Sequence, residues 1–504
     1  MKSKLTVNRV FTVGEAEKNL FGGFVEHMGR CVYNGFYEPS HPLADEDGFR
    51  KDVIELVREL DMPLTRYPGG NFVSGYDWKD GIGERSARPV RAEYAWNALE
   101  TNEIGLDEFV RWCKKINSEI LYAVNLNTNT PKSAQELVEY ANFSGRSYWS
   151  DQRRANGSDE PHNIRVWCLG NEVDGEWQIG HMTAAEYGRV AHETAKMMKM
   201  VDPDIKLCAC GSSTGDMATF GSWDIEVLKH LFKDVDYLSI HMYFGNREKN
   251  LPKYLSVPEQ LDQRLTAAAA ACDAVAAEKK SAKKIMIALD EWNVWYRGSV
   301  VYAPEDRWQC GKPLNEEIYD MADVLVTGGA LLSMLDHCDR LKIACLAQTV
   351  NVIAPIITEV GGKCWKQSIF YPFRETSRYG RGTVLRGVVD SPAYPGEAKF
   401  CCDEIKFLRA AAVWRKAGHE VTVFAINRAE ETMDFTAELQ GFECVRVVDA
   451  VEIANPDMDA VNSAECEAVA PEKIAVSRIT LQGNTLDTVL KPLSWNMFRI
   501  EVKQ

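Results

Sequence analysis

Between residues 20 and 350 the chain carries eight short apolar segments, most of them followed by a stretch of helical length, and each ends in polar side chains. The segments cover residues 21–25, 63–67, 120–124, 166–169, 205–209, 237–240, 285–288 and 343–346. Apolar runs of this length, β-branched in part and bounded by charged or turn residues, are what parallel strands buried on both faces require. Alternation with helical stretches such as 183–200 and 258–279 is the βα repeat of a parallel α/β fold, and eight repeats predict a (β/α)8 TIM barrel. The polar ends read as Glu26-His27, Arg66 with Asn71, Asn125 with Asn127, Asn171-Glu172, Ser212-Ser213, His241-Met242-Tyr243, Asp290-Glu291, and Gln348 with Asn351. In such a barrel the C-terminal strand ends gather distant residues into one pocket, where catalysis is built.

After about residue 380 the pattern changes to short alternating segments, such as 420–425 and 498–502, with turns between them and little helical period. This predicts an appended antiparallel β-sandwich. Residues 5–7 and 10–13 alternate in the same way and are expected to join it. The expected domains are a barrel over 15–383 and a sandwich formed by both termini, 1–14 and 384–504. A chain of 504 residues is long enough for both.

Composition narrows the partners. Hydrophobic and charged fractions of 45% and 26% are those of an ordinary soluble protein, and no apolar run approaches the ~20 residues that span a bilayer. The opening Met1-Lys2-Ser3-Lys4-Leu5 leads straight into alternation without an apolar signal core, so a cytoplasmic location is expected. A net charge of −15 disfavours nucleic acid as a partner and suits a neutral substrate. Of the 14 cysteines, Cys168, Cys208 and Cys345 lie inside apolar runs, as free core thiols do. The pairs Cys208-x-Cys210 and Cys401-Cys402 lack a second Cys or His pair at metal-site spacing, so no zinc is expected.

The strongest chemical signal is the pair Glu172 and Glu291, each just beyond an apolar segment. Cleavage of a glycosidic bond passes through an oxocarbenium-like transition state and needs one carboxyl to protonate the leaving oxygen and another beneath the anomeric carbon. Asn171 precedes Glu172 and is placed to hold a ring hydroxyl, while Trp292, Trp295 and Tyr296 after Glu291 offer a face on which a sugar can stack. Either glutamate alone reads as an ordinary surface or ion-paired residue; both at strand ends read as a site. The spacing of His241-x-Tyr243 puts both side chains on one strand face, where Tyr243 can orient the nucleophile, although a core histidine with a packing tyrosine has the same pattern. The Pro68-Gly69-Gly70 turn lets Asn71 project into the mouth. Trp78 and Trp96 are equally readable as aromatics covering the rim.

The segments Phe24-Val25-Glu26-His27-Met28-Gly29-Arg30, Arg66-Tyr67-Pro68-Gly69-Gly70-Asn71, Trp167-Cys168-Leu169-Gly170-Asn171-Glu172-Val173, His241-Met242-Tyr243 and Asp290-Glu291-Trp292-Asn293 resemble, in order, the motif series of family 51 glycoside hydrolases, the α-L-arabinofuranosidases. The likeness runs from about residue 20 to residue 375 and includes Ala347-Gln348-Thr349-Val350-Asn351-Val352. It implies a barrel with a jelly-roll-like sandwich, retaining hydrolysis without a cofactor or metal, and a cytoplasmic homo-hexamer acting on arabinofuranosyl-containing oligosaccharides. Glu172 would be the acid/base and Glu291 the nucleophile. Glu26, Asn71, Asn171, Tyr243 and Gln348 would contact the sugar, Trp96 and Trp295 would line the pocket, and His241 and Arg66 would support the carboxylates. Val173 and Glu176 would face the part of the substrate beyond the cleaved sugar.

Exo-acting release of terminal α-L-arabinofuranosyl residues from arabinoxylan or arabinan fragments is therefore the expected activity, with a β-glucan- or β-xyloside-cleaving relative as the alternative. A decayed barrel that only binds carbohydrate would have no reason to keep both glutamates with His241 and Tyr243. A metal-dependent hydrolase is disfavoured because the strand ends lack His-x-His and the chain holds only 9 histidines.

Overall fold

Eight parallel strands close into a barrel: β1 (Gly22–Phe24), β2 (Leu64–Tyr67), β3 (Glu119–Val124), β4 (Val166–Leu169), β5 (Lys206–Cys210), β6 (Tyr237–Phe244), β7 (Met286–Val294) and β8 (Leu341–Ala347), with β8 pairing back onto β1. The computed structural model describes residues 1–297, 307–396 and 403–503, so Cys401 and Cys402 lie outside the described residues. Each of the eight apolar segments contributes a barrel strand. The described cysteines are free, with Cys168, Cys208, Cys210 and Cys345 buried. Among the described residues no helix is long and apolar enough to cross a membrane.

The helix after β4, Ala184–Val201, illustrates how sequence places these elements. Thr183 and Glu186 form a reciprocal capping box at its start. Its buried side chains Tyr187, Ala191, Ala195 and Met198 recur every three to four residues, so one face packs on the barrel. The Tyr187 hydroxyl donates to the Leu169 carbonyl at 2.7 Å and accepts from the Cys210 N–H at 2.8 Å, tying the helix to the ends of β4 and β5. That anchors the turn in which Asn171 and Glu172 sit.

The second unit is a ten-stranded sheet that folds over a core of its own, with Phe435 and Phe498 facing each other from non-adjacent strands at 6.2 Å between ring centroids. The N-terminal strand Lys2–Ala16 pairs antiparallel with Gly382–Asp390 and parallel with Met433–Gln440. The parallel pair departs from the expected all-antiparallel sandwich. It is possible because the whole barrel separates the two strands in sequence, so no tight turn constrains their direction. Residues 5–7 and 10–13 belong to this one strand, interrupted by register shifts between Val7 and Gly14. The units meet along the barrel helix Met321–Asp336, where a Cβ on Gly328 would come within 2.5 Å of the Trp495 ring. Beside it, Arg428 pairs with Glu259 at 2.6 Å.

Candidate active site

Glu172 lies just past β4 at φ +44, a left-handed conformation that a non-glycine residue adopts at an energetic cost and that clusters at functional sites. Gly170 before it, at φ +91, lets the chain turn sharply out of the strand. Glu291 is carried within β7, past a register shift, and pairs across the ladder with His241 of β6, while Asn293 pairs with Tyr243. An oxygen of Glu172, an oxygen of Glu291 and a ring nitrogen of His241 lie within 4.8 Å of one another.

These groups are held by a buried network. His241 Nδ1 lies 2.8 Å from Glu172 Oε1 and 3.6 Å from Glu291 Oε2, and its Nε2 lies 3.6 Å from Asp290 Oδ1. Arg66, rising from β2, donates to Glu291 Oε2 at 2.9 Å and to Asn171 Oδ1 at 2.7 Å, and its Nε is 2.9 Å from Asp290. Tyr243 donates to Glu291 Oε1 at 2.5 Å, and Trp177 Nε1 donates to Glu172 Oε2 at 2.8 Å.

Burial disfavours every charge here, and the neighbours decide the outcome. For His241 burial is outweighed by Glu291, Asp290 and Glu172, which push its pKa up to about 10, so it is an imidazolium at neutral pH. Asp290 is held well below the usual carboxylate range despite burial, chiefly by Arg66 and then by His241 and Ser239. Glu172 is likewise lowered, because hydrogen bonds from His241 and Trp177 overcome its burial. Glu291 is raised: burial and the Glu172 charge prevail over His241, Arg66 and Tyr243. The surroundings thus push the two carboxyls in opposite directions, Glu172 toward its charged form and Glu291 away from it.

A cavity of about 730 Å³ opens above the pair, and Glu26, Asn71, Trp96, Tyr243, Trp295 and Gln348 are among the residues lining it. Glu26 closes one side: its Oε1 accepts from Phe72 N–H and Trp96 Nε1, each at 2.9 Å, and its main-chain N–H donates to Gln348 Oε1 at 3.1 Å. Burial, and then the nearby Glu291, push the Glu26 carboxyl up to about 8. The Pro-Gly-Gly turn is needed for close approach, since a Cβ on Gly70 would fall 2.5 Å from Glu26 Oε2.

Not every sequence-derived residue reaches the cavity. Asn171 and Arg66 are buried beneath it; Asn171 Nδ2 has no protein partner among the described residues. Asn71 lines the cavity with its Oδ1 receiving Gln178 Nε2. Trp78 is a core aromatic, packed on Tyr140 and Trp149 and donating to the Ser133 carbonyl. Val173 is fully buried, and neither it nor Glu176 lines the cavity; Trp177 does. Sequence reasoning missed Asp290 as the counter-ion of Arg66 and His241, and an outer wall from Phe220, Gln260, Gln263 and Arg264. Asp290 was detectable as an acid directly before Glu291, whereas the wall residues form no motif.

Known proteins match this chain over most of its length. The α-L-arabinofuranosidase 1 domain matches residues 56–260, and the α-L-arabinofuranosidase C-terminal domain matches residues 290–494. The intracellular exo-α-(1→5)-L-arabinofuranosidase 1 of Bacillus subtilis is 48% identical over 502 residues, covering 99% of both chains. A family 51 α-L-arabinofuranosidase from Bifidobacterium longum superimposes with a TM-score of 0.94 at 38% identity, again over 99% of both chains. The chain belongs to glycoside hydrolase family 51. Another relative, the exo-α-(1→6)-L-arabinofuranosidase of Bifidobacterium longum, is 41% identical over 99% of this chain and 97% of its own. The α-L-arabinofuranosidase of Thermotoga maritima, solved as an arabinose complex, matches with a TM-score of 0.88 at 33% identity over 99% of this chain and all of that one. The Glu172–Glu291 pair of this family 51 chain thus stands at the mouth of a barrel shared by relatives named as arabinofuranosidases.

Proposed function

We propose that this chain is a retaining, exo-acting α-L-arabinofuranosidase that releases terminal α-L-arabinofuranosyl residues from arabinan and arabinoxylan oligosaccharides. The observation that carries the retaining reading is the approach of Glu172 and Glu291 oxygens within 4.8 Å. Retaining enzymes need carboxyls about 5 Å apart, whereas inverting enzymes leave about 6.5–9.5 Å for a water. The Glu291 carboxylate attacks the anomeric carbon as Glu172 passes its proton to the glycosidic oxygen; the C–O bond breaks, the aglycone leaves as an alcohol, and a glycosyl ester of Glu291 remains. Water then attacks the same carbon, Glu172 takes its proton, and the ester bond breaks to free Glu291.

An ionised Glu172 suits the second half-reaction, in which it serves as the base. For the first half-reaction, Glu172 must instead carry the proton that goes to the glycosidic oxygen while Glu291 is ionised. Arg66 and Tyr243 then hold the Glu291 charge as it aligns beneath the anomeric carbon. Glu26, Asn71, Tyr243 and Gln348 serve as hydroxyl partners, with Trp96 and Trp295 as walls and Asn171 beneath the cavity, held by Arg66; a hydroxyl mismatched to such buried groups costs about 1–3 kcal/mol each. This favours one terminal furanosyl ring over pyranosides.

Relatives at 45–48% identity named intracellular exo-α-(1→5)-L-arabinofuranosidases support a 1→5 linkage and a cytoplasmic location. A homo-hexamer is the proposed assembly, to be read by light scattering. The double displacement is tested by proton NMR of the first-formed arabinose from an aryl α-L-arabinofuranoside: retained configuration is expected, and inversion overturns it.

A further inference from the structure

Glu93 is a buried carboxylate with no part in the chemistry above. It ends the short strand Arg91–Glu93, which pairs antiparallel with Ala98–Glu100, so residues 94–97 form the connecting loop and Trp96 stands near its tip. Both Glu93 oxygens are taken up by that loop: Oε1 accepts from Ala95 N–H at 2.6 Å and Oε2 from Trp96 N–H at 2.7 Å. From the same residue the indole reaches on, Trp96 Nε1 donating to Glu26 Oε1 at 2.9 Å. Asn97 completes the loop at φ +54 and accepts Trp308 N–H at 2.7 Å through its carbonyl. A carboxylate, two main-chain amides, an indole and a second carboxylate therefore form one continuous chain of contacts from outside the cavity to its wall.

Burial pushes the Glu93 carboxyl up to about 7, against the pull of the two amides and with a further push from Glu100. A side chain kept where its charge is disfavoured must return something, and what it returns is a loop whose two amides have no other acceptor among the described residues. Glu100 does not substitute for it, because its oxygens are occupied by His27 Nδ1 at 2.7 Å, by Asn102 N–H at 2.6 Å and by Tyr33.

We propose that Glu93 is a positioning residue for the arabinofuranosyl site: by receiving the amides of Ala95 and Trp96 it sets the Trp96 indole, and through it the Glu26 carboxyl. This rests on the reading of Trp96 and Glu26 as sugar-contacting groups. The isosteric Glu93→Gln keeps the volume but turns an NH2 toward one of the two amides. On an aryl α-L-arabinofuranoside it is expected to lower kcat/KM about tenfold, with circular dichroism of the folded protein unchanged. Trp96→Phe, which removes only the indole donor and part of the ring, should lose at least as much. The deciding measurement is the double variant. If Glu93 acts through Trp96, Glu93→Gln in the Trp96→Phe background adds less than a twofold further loss. Multiplying losses, or wild-type kcat/KM in Glu93→Gln, overturn the proposal while leaving the sugar-contact reading intact. Wild-type kcat/KM in both Trp96→Phe and Glu26→Gln would instead remove that reading, and this inference with it.

Discussion

The imidazole of His241 stands between two carboxylates, 2.8 Å from Glu172 and 3.6 Å from Glu291, with Asp290 3.6 Å from its other nitrogen. One cation thus faces three acids in a buried site, and what the pair can do depends on it. His241→Gln removes that charge while keeping a donor. It should raise the acidic limb of the kcat/KM profile, because Glu172 loses the group that lowers it, and should cut kcat/KM by about 10²-fold. An unmoved acidic limb in a pH titration would mean that His241 does not govern Glu172.

Protein stability should carry the same signature. The folded-state pKa of His241 is raised to about 10 from its ordinary 6.5, so its contribution is fully present below about 6.5 and is lost as pH rises through 10. Glu26, raised from 4.5 to about 8, acts in the same direction across its own lower window, since the folded state holds the proton longer. Calorimetry is expected to show Tm falling between pH 6.5 and 10, and falling less steeply in His241→Gln. Parallel curves for the two proteins would contradict the assignment.

The two glutamates should separate by leaving group. Glu172→Ala is expected to spare aryl arabinofuranosides with good leaving groups relative to alkyl ones and, with azide, to yield a glycosyl azide of retained configuration. Glu291→Ala should be crippled on all substrates and, where azide rescues it, give the inverted product. The opposite pattern would exchange the roles.

Asp290 neutralises Arg66 and His241 from a side chain fully buried in the barrel. Asp290→Asn leaves those cations short of a counter-charge, and unpairing a buried ion typically costs about 3–5 kcal/mol. Chemical denaturation should report a loss of that order together with loss of turnover; an unchanged midpoint would show that the network does not depend on it.

Gly70→Ala tests the turn beneath Glu26. The new methyl would sit 2.5 Å from Glu26 Oε2, so the carboxyl must shift. A drop of about tenfold or more in kcat/KM with little change in Tm is expected, as a displaced sugar contact costs of order 1–3 kcal/mol. A wild-type kcat/KM would mean that the position of Glu26 is unimportant.

What the sequence by itself determined was whatever rests on local pattern. Eight apolar segments of strand length specify eight buried parallel strands, and residues immediately past them, such as Glu172, His241, Tyr243 and Gln348, must then meet at one end, because a closed parallel barrel leaves them nowhere else. Only the tertiary structure decided what depends on distance. Trp177, half exposed and five residues beyond Glu172, reaches back to it through a loop whose path no periodicity describes. Glu93 meets Trp96 through main-chain amides, which carry no sequence signature, and the wall around Arg264 comes from a helix whose pattern reports only its packing on the barrel. The parallel pairing of Lys2–Ala16 with Met433–Gln440 was equally hidden, since strand direction is settled by how the folded units dock and leaves no trace in alternation.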